Sequence, residues 1–289
     1  MSDRLKLAIQ SKGRIGNVIP DFLRRAGLNF EIFDRQLISR CSNFPLDLLF
    51  VRHRDIPVFV EDGAADLGIV GQDLLWENNN DVAELLNLGF GRCRLCLAVP
   101  EETKYRKATD LKGLRVATSL PNLTTEYFSK KLIPVEVIAV EGSVEIGPRL
   151  NIAEAIVDVV GTGSTLEINR MRIIDEILRS ETVLIGNQES IMTRKNLVDE
   201  LVFRCGSVVA ADTKKLMLFT VAEDKLDACY AVISSSIDVT VTRANGTSGN
   251  QFVSIQLVVD EEESWSLMRA LKLQGAKIIF VTDIQRLVT

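Results

Sequence analysis

The chain has 289 residues, 46% of them hydrophobic and 25% charged, with a formal net charge of −5. That length allows two or three domains with a full apolar core, and the negative balance excludes an extended basic surface, so no nucleic-acid partner is expected. No apolar run reaches the roughly 20 residues of a membrane-spanning helix, and Met1-Ser-Asp-Arg-Leu-Lys6 enters a strand pattern without a signal-peptide core, so no membrane partner and a cytoplasmic location are expected. The five cysteines are scattered. Cys93 and Cys96 form a C-x-x-C on a strand pattern, where residues three apart face opposite sides, so reduced, mostly buried thiols are expected. His53 is the only histidine. Any histidine-based triad depends on it alone, and an exposed polar side chain is its default reading.

The first segment alternates strands and helices. Leu5 to Ile9 is a strand, Lys12-Gly13-Arg14 a loop, and Asn17 to Ala26 an amphipathic helix stopped by Gly27. Leu46 to Val51 is a strand, Ile56 to Asp62 a short helix, Asp66 to Val70 a strand, and a helix starts near Gln72. Cys93 to Val99 closes the set. A second set follows Pro100: strand Leu114 to Ala117, helix Thr124 to Leu132, strands Val135 to Val140 and Ile156 to Val160, a helix from about Thr165, and strands Ile174 to Arg179 and Val183 to Gly186. Lys195 to Ala211 is the helix that completes the first lobe. Strands separated by helices imply mostly parallel sheets, and two such lobes joined by two crossings enclose a cleft at strand C-terminal ends. The two lobes show no internal repeat in their spacing. The tail, from strand Leu216–Val221 to strand Lys277–Val281, has the order βαββαβ, the ferredoxin-like pattern, with a polar loop over Arg243–Asn250.

The stretch Asp158-Val-Val-Gly-Thr-Gly-Ser-Thr-Leu166 stands out. A β-branched run stops in glycines and hydroxyl residues, and a helix pattern follows. Gly161 and Gly163 allow close backbone approach, Thr162, Ser164 and Thr165 add hydroxyl donors, and helix-start amides favour an anion. A phosphate monoester fits, and Asp158 could accept hydrogen bonds from sugar hydroxyls, which suggests a ribose 5-phosphate. The alternative is an ordinary strand–turn–helix junction. Positive charge clusters at Lys12 with Arg14, Arg52 with Arg54, and Arg92 with Arg94. Alternation places the last pair on one strand face, and solvated surface charge is the alternative for each.

Several segments together resemble one family, ATP phosphoribosyltransferase in its long form, the first enzyme of histidine biosynthesis. They are Ser11-Lys-Gly-Arg14, Val51-Arg52 with Asp55-Ile-Pro57, Gly63-Ala-Ala-Asp-Leu-Gly-Ile-Val-Gly71-Gln-Asp73, Cys93-Arg-Leu95, Val116-Ala-Thr-Ser-Leu-Pro-Asn122, Glu141-Gly-Ser-Val-Glu145, the phosphate-type loop, and Leu271-Lys-Leu-Gln-Gly-Ala276. The chain departs from the family's usual pattern at Asn151-Ile-Ala-Glu154 (Gly-Leu-Ala-Asp), at Asn169-Arg170 (Asn-Gly) and at Asp238-Val-Thr-Val-Thr-Arg243.

The resemblance implies an α/β fold: a two-lobed, periplasmic-binding-protein-like catalytic part plus a C-terminal ferredoxin-like regulatory domain. The expected divisions are 1–99 plus 182–211 for lobe I on the ATP side, 100–181 for lobe II with the loop for 5-phosphoribosyl 1-pyrophosphate (PRPP), and 212–289 for the regulatory domain. It also implies transfer of the phosphoribosyl group to N1 of ATP with release of pyrophosphate, Mg2+ as cofactor, L-histidine as feedback inhibitor, and a homo-oligomer, dimer or hexamer.

The implied PRPP residues are Asp158, Gly161, Thr162, Gly163, Ser164, Thr165 and Glu141. Lys12, Arg14, Arg52, Gly71 and Asp73 are those for ATP or pyrophosphate. Glu145 and Asp73 each have a helix-start alternative. Asp212, Thr240, Thr242 and Ser254 could meet a histidine, the alternative being a domain for oligomer packing only. No residue is required as a general base, because adenine N1 is already nucleophilic and orientation and electrostatics suffice. The rival readings are a solute receptor, a ligand-sensing domain of a transcription regulator and a catalytically dead paralogue. The first lacks its export signal, the second its helix-turn-helix, and the intact loop argues against the third.

Overall fold

A computed structural model describes residues 4–13, 15–33, 35–235, 237–245 and 251–288. Arg14, one of the expected anion-binding residues, lies outside the described residues. So do residues 246–250 of the expected polar loop; its start continues a strand to Asn245. The chain divides into two compact units, Met1–Val202 and Phe203–Thr289.

The first unit holds two sheets. The chain runs through β1 (Leu5–Gln10), α1 (Ile19–Arg25), β2 (Ile38–Arg40), β3 (Leu46–Val51), α2 (Ile56–Glu61), β4 (Leu67–Gly71), α3 (Gln72–Asn78) and β5 (Ala83–Asn87). It crosses into β6 (Cys93–Pro100), then β7 (Arg115–Thr118), α4 (Pro121–Lys130), β8 (Glu136–Ala139), β9 (Ala155–Val160), α5 (Ser164–Ile168) and β10 (Met171–Ser180). It returns through β11 (Thr182–Gly186), α6 (Gln188–Thr193) and α7 (Lys195–Ala211). The strand orders are β2-β3-β1-β4-β11-β5 and β10-β6-β9-β7-β8.

The two sheets repeat one plan. In each, three adjacent strands run parallel: β3, β1 and β4 in one, β8, β7 and β9 in the other. In each, a strand arriving from the other lobe inserts antiparallel beside them. β11 enters between β4 and β5, and β6 between β9 and β10. This repeat is absent from residue spacing because it lies in topology.

Two expectations change. The sheets are mixed rather than mostly parallel, because each crossing strand enters against the direction of its neighbours. Cys93–Val99, assigned to the first lobe, belongs to the second sheet. Its hydrophobic run, nearly all buried, suits a central strand of either sheet, so the sequence could not choose. β5 was also not foreseen: Ala-Glu-Leu-Leu-Asn favours helix, and pairing with β11 imposes the strand.

Packing explains the fixed lobes. Ile56 and Val60 of α2 cover β4, where a Cβ on Gly68 would lie 2.7 Å from Ile56 and 2.9 Å from Val60, so only glycine permits this approach. Val70, Val183 and Ile185 complete that core, and Leu97, Val116, Phe128 and Val157 anchor the second. All five cysteines are buried free thiols. The departures at Asn151 and Arg170 both fall on left-handed backbone, φ +57° and +52°, where the family's glycine is unstrained.

The second unit contains β12 (Lys214–Ala222), α8 (Leu226–Tyr230), β13 (Val239–Asn245), β14 (Gln251–Asp260), α9 (Glu261–Leu273) and β15 (Lys277–Asp283). The order β13-β14-β12-β15, antiparallel throughout, is the ferredoxin-like sheet. Phe219, Val221, Val253 and Ile255 on one face pack with Leu267 and Leu271 of α9.

Candidate active site

The parallel strands of both lobes end at one cleft. A cavity there is bounded by Gln10, His53, Arg54, Gly71 and Asp73 from the first lobe and by Ser119, Leu120 and Asp158 from the second. Each polar residue sits just past, or near the end of, a parallel strand, where ligands of open α/β sheets bind. The cleft thus joins residues up to 149 positions apart in sequence, Gln10 to Val159.

Asp158 is the central acid. Burial raises its carboxyl to a pKa of about 6, the Val159 N–H donating at 2.8 Å opposes that rise, and the Glu145 charge adds to it. Burial at the cleft wall lowers the pKa of His53, with the Asp73 carboxylate opposing. His53 lines the cleft and its side chain is exposed, as expected for it. Asp73 is held from the returning segment: the Ser180 hydroxyl donates to Asp73 Oδ1 at 3.0 Å, and the Asp73 N–H donates to Ser180 Oγ at 3.0 Å.

The loop after β9 turns through Gly163 at φ +90°, with open space where a Cβ would stand. Glycine is therefore required there by backbone conformation and leaves the loop face free. Thr162 and Ser164 hydroxyls lie 3.1 Å apart, and Thr162, Ser164 and Thr165 are exposed. Gly161 lines a second recess that meets the cavity at Cys93.

Other expected residues fall differently. Gly71 and Asp73 line the cavity, whereas Arg52 is exposed beside it and Arg54 lines it. Arg54 spans the cleft to Glu141 at 3.7 Å, and the Glu141 side chain is 94% exposed. Lys12 is exposed in the loop after β1, its carbonyl accepting from the Gln10 amide. Glu145 sits in a 3-10 turn at Val144–Ile146. In the second unit, Thr242 pairs with Ser254 across β13 and β14, and Thr240 shares their sheet face two residues away. Asp212 does not join them. It precedes β12, while Ser254 pairs with Thr220 near the far end of that strand, about 20 Å away at 3.4 Å per residue.

Sequence reading missed Ser180 and Arg179, which reach the site by long-range pairing. Strand alternation had already put Arg94 on a shared face with Arg92.

Among the described residues no group of three or more His, Cys, Asp or Glu gathers as a metal site, and no helix is long and apolar enough to cross a membrane.

The sequence profile of ATP phosphoribosyltransferase matches residues 52–206, and that of the HisG C-terminal domain matches residues 211–286. An ATP phosphoribosyltransferase of Methanocaldococcus jannaschii is 38% identical over 288 residues, 98% of this chain and 99% of that protein. Those of Methanothermobacter thermautotrophicus, at 37% identity, and Bacteroides fragilis, at 35%, are covered equally fully (99% and 98% of this chain, 99% of each relative). The solved ATP phosphoribosyl transferase (HisG:HisZ) complex from Thermotoga maritima contains a chain that matches with a TM-score of 0.63 and 30% identity, over 71% of this chain and 98% of that one. By both profiles and these full-length relatives, the chain belongs to the ATP phosphoribosyltransferase family.

Proposed function

We propose that the cleft binds PRPP against the second lobe and ATP against the first, and that the chain works by holding the two in line. As a family member the chain transfers the 5-phosphoribosyl group of PRPP to N1 of ATP, releasing pyrophosphate, in the first step of histidine biosynthesis. The observation that carries the assignment is the shared cavity, in which Asp158 beside the phosphate-type loop faces Gly71, Asp73 and Arg54 of the other lobe.

In this reading residues 161–165 hold the 5-phosphate through loop amides and hydroxyls, and Asp158 accepts from the ribose hydroxyls. Lys12, Arg52 and Arg54 face the ATP or pyrophosphate oxygens. Glu141 holds Arg54 until ligand oxygens compete for it, and Arg's forked donors suit that exchange. Adenine N1 attacks the anomeric carbon as pyrophosphate leaves. No side chain need act as base at N1, so the cleft's contribution is orientation, charge and exclusion of water.

The family uses a divalent metal. The donor set fits a cation held mainly by substrate oxygens: Asp158 and Glu145 lie close enough for one charge to raise the other's pKa, and they are the carboxylates that would face it. When bound, the cation, which we assign as Mg2+, neutralises the departing pyrophosphate. We further assign 1–99 with 182–211 to the ATP side except for β6, 100–181 to the PRPP side, and 212–289 to regulation by L-histidine at Thr240, Thr242 and Ser254. We infer a cytoplasmic homo-oligomer.

Pyrophosphate release from ATP plus PRPP by the purified chain tests the activity. Gly163→Val and Thr165→Ala should each raise the apparent KM for PRPP, and unchanged PRPP kinetics in both would sink the loop assignment. Titration of the activity with L-histidine, repeated on Thr242→Ala and Ser254→Ala, tests the regulatory site. An identical response in all three removes it.

A further inference from the structure

The recess beyond Cys93 carries a row of arginines that the assignments above leave unused. Register sets the row: Arg179 of β10 pairs with Arg94 of β6, and Arg94 pairs with Val160 of β9, the residue before Gly161. Neighbouring strands stand about 4.8 Å apart, so two guanidiniums and the start of the phosphate-type loop follow one another across three strands. Arg92 adds a third cation to the same wall.

Like charges directly opposite each other across a strand pair are destabilising. Glu176 offsets this pair. One of its oxygens accepts from Arg179 Nε at 2.7 Å, the other from Arg94 at 3.2 Å. The same two contacts, Arg179 first, hold the Glu176 carboxyl below its ordinary range. Arg92 lies 3.7 Å from Glu181. Three guanidiniums against two carboxylates leave the wall cationic, and the Arg179 and Arg92 side chains keep 79% and 75% exposure toward solvent. A guanidinium carries five N–H donors, and one carboxylate contact occupies few of them. A wall of this kind, continuous with a phosphate-type loop, suits a chain of phosphates better than a single one.

We propose that Arg94, Arg179 and Arg92 form a polyphosphate seat at the hinge end of the cleft. It takes the triphosphate of ATP or the pyrophosphate of PRPP while the Gly161–Thr165 loop holds the 5-phosphate. The proposal rests on that reading of the loop. Because Arg92 and Ser180–Glu181 lie on the two crossings between lobes, a phosphate chain bound there touches the segments about which the lobes would turn.

The test is initial-rate kinetics of the full chain with each substrate varied in turn, for Arg179→Gln, Arg94→Gln and the double variant. The expected result is a rise of about tenfold or more in one KM in the double variant, with kcat changed far less, consistent with loss of charge-assisted contacts of about 1.4 kcal/mol or more in total. A rise confined to ATP assigns the triphosphate. A rise confined to PRPP, with weaker product inhibition by pyrophosphate, assigns the pyrophosphate. Arg179→Lys should recover part of the loss. Inorganic tripolyphosphate should raise the melting temperature of the parent chain more than that of Arg179→Gln, which keeps the test open if the double variant folds poorly. Both KM values unchanged in Arg179→Gln and Arg94→Gln, with an equal tripolyphosphate shift in parent and variant, overturns the seat. Gly163→Val, measured alongside, reports separately on the loop.

Discussion

Glu77 at the end of α3 caps the first turn of α4 from across the cleft. Its two carboxylate oxygens accept the N–H groups of Asn122 and Leu123, each at 2.9 Å, and the Asn122 amide donates to the Glu77 carbonyl at 2.9 Å. Helix α4 opens on Pro121 and has no capping side chain of its own. A buried carboxylate from one lobe therefore satisfies first-turn donors that helix geometry leaves open in the other, and ties the lobes at that edge.

Removing that carboxylate should cost stability. Glu77→Ala leaves the buried Leu123 N–H and the part-buried Asn122 N–H unpaired and is expected to lower the unfolding free energy by about 1–3 kcal/mol, with Glu77→Gln losing less because it keeps one acceptor. Urea denaturation midpoints measure both. A Glu77→Ala midpoint equal to that of the parent would remove the capping role.

Asp158 predicts opposite pH trends for stability and binding. Its folded pKa of about 6 lies above the unfolded value near 3.9, so the neutral carboxyl is the form the fold favours. Its contribution is complete below about pH 4 and is lost as pH rises through about 6. Asp158→Asn should therefore match the parent in acid and exceed it in stability at about pH 8. The ionised form is the better acceptor for ribose hydroxyls, so kcat/KM for PRPP should rise through the same window and that limb should vanish in Asp158→Asn. Thermal melts and PRPP kinetics across that range check the pair of trends.

Arg170 adopts φ +52°, which costs a side-chain-bearing residue about 1–2 kcal/mol, partly offset in glycine by chain entropy. Arg170→Gly is expected to stabilise by about 0.5–1 kcal/mol, and Asn151→Gly by less because asparagine tolerates this region. Chemical denaturation of the two variants decides. A destabilised Arg170→Gly would show that the arginine side chain outweighs the strain.

Gly91 stands on the first crossing at φ +68°, and a Cβ there would lie 2.2 Å from Thr182 Oγ1 on the second. Gly91→Ala should destabilise by about 2 kcal/mol or more, combining left-handed strain with overpacking. Gly91→Ala with Thr182→Ser, which retains the clashing oxygen, should recover little. With Thr182→Ala it should recover more. Denaturation midpoints of these three proteins separate the clash from the strain.

Much of the candidate site was legible because its residues sit where local chemistry changes. The stop from β-branched to glycine and hydroxyl residues after Val160 marks the loop, and Gly71 followed by a helix start marks Asp73. The remainder was hidden in pairing. Ser180 reaches Asp73 across 107 positions, and Arg179 stands opposite Arg94 only through the register of β10 on β6. Asp212 looked compatible with Thr242 and Ser254 because sequence carries no strand length between them; β12 separates them.

The sequence by itself determined the alternation of strands and helices, the βαββαβ tail, the glycine and hydroxyl loop after β9 and the family, because propensity, periodicity and turn chemistry act over a few residues. Tertiary structure decided that Cys93–Pro100 pairs in the second sheet, that both lobes share one plan, and that Glu77 meets the start of α4 and Arg54 meets Glu141 across the cleft. The physical reason is that a buried hydrophobic strand satisfies its backbone in any sheet with an open edge. Only the pairing of the whole chain selects the partner, and the pairing then fixes which charges face one another.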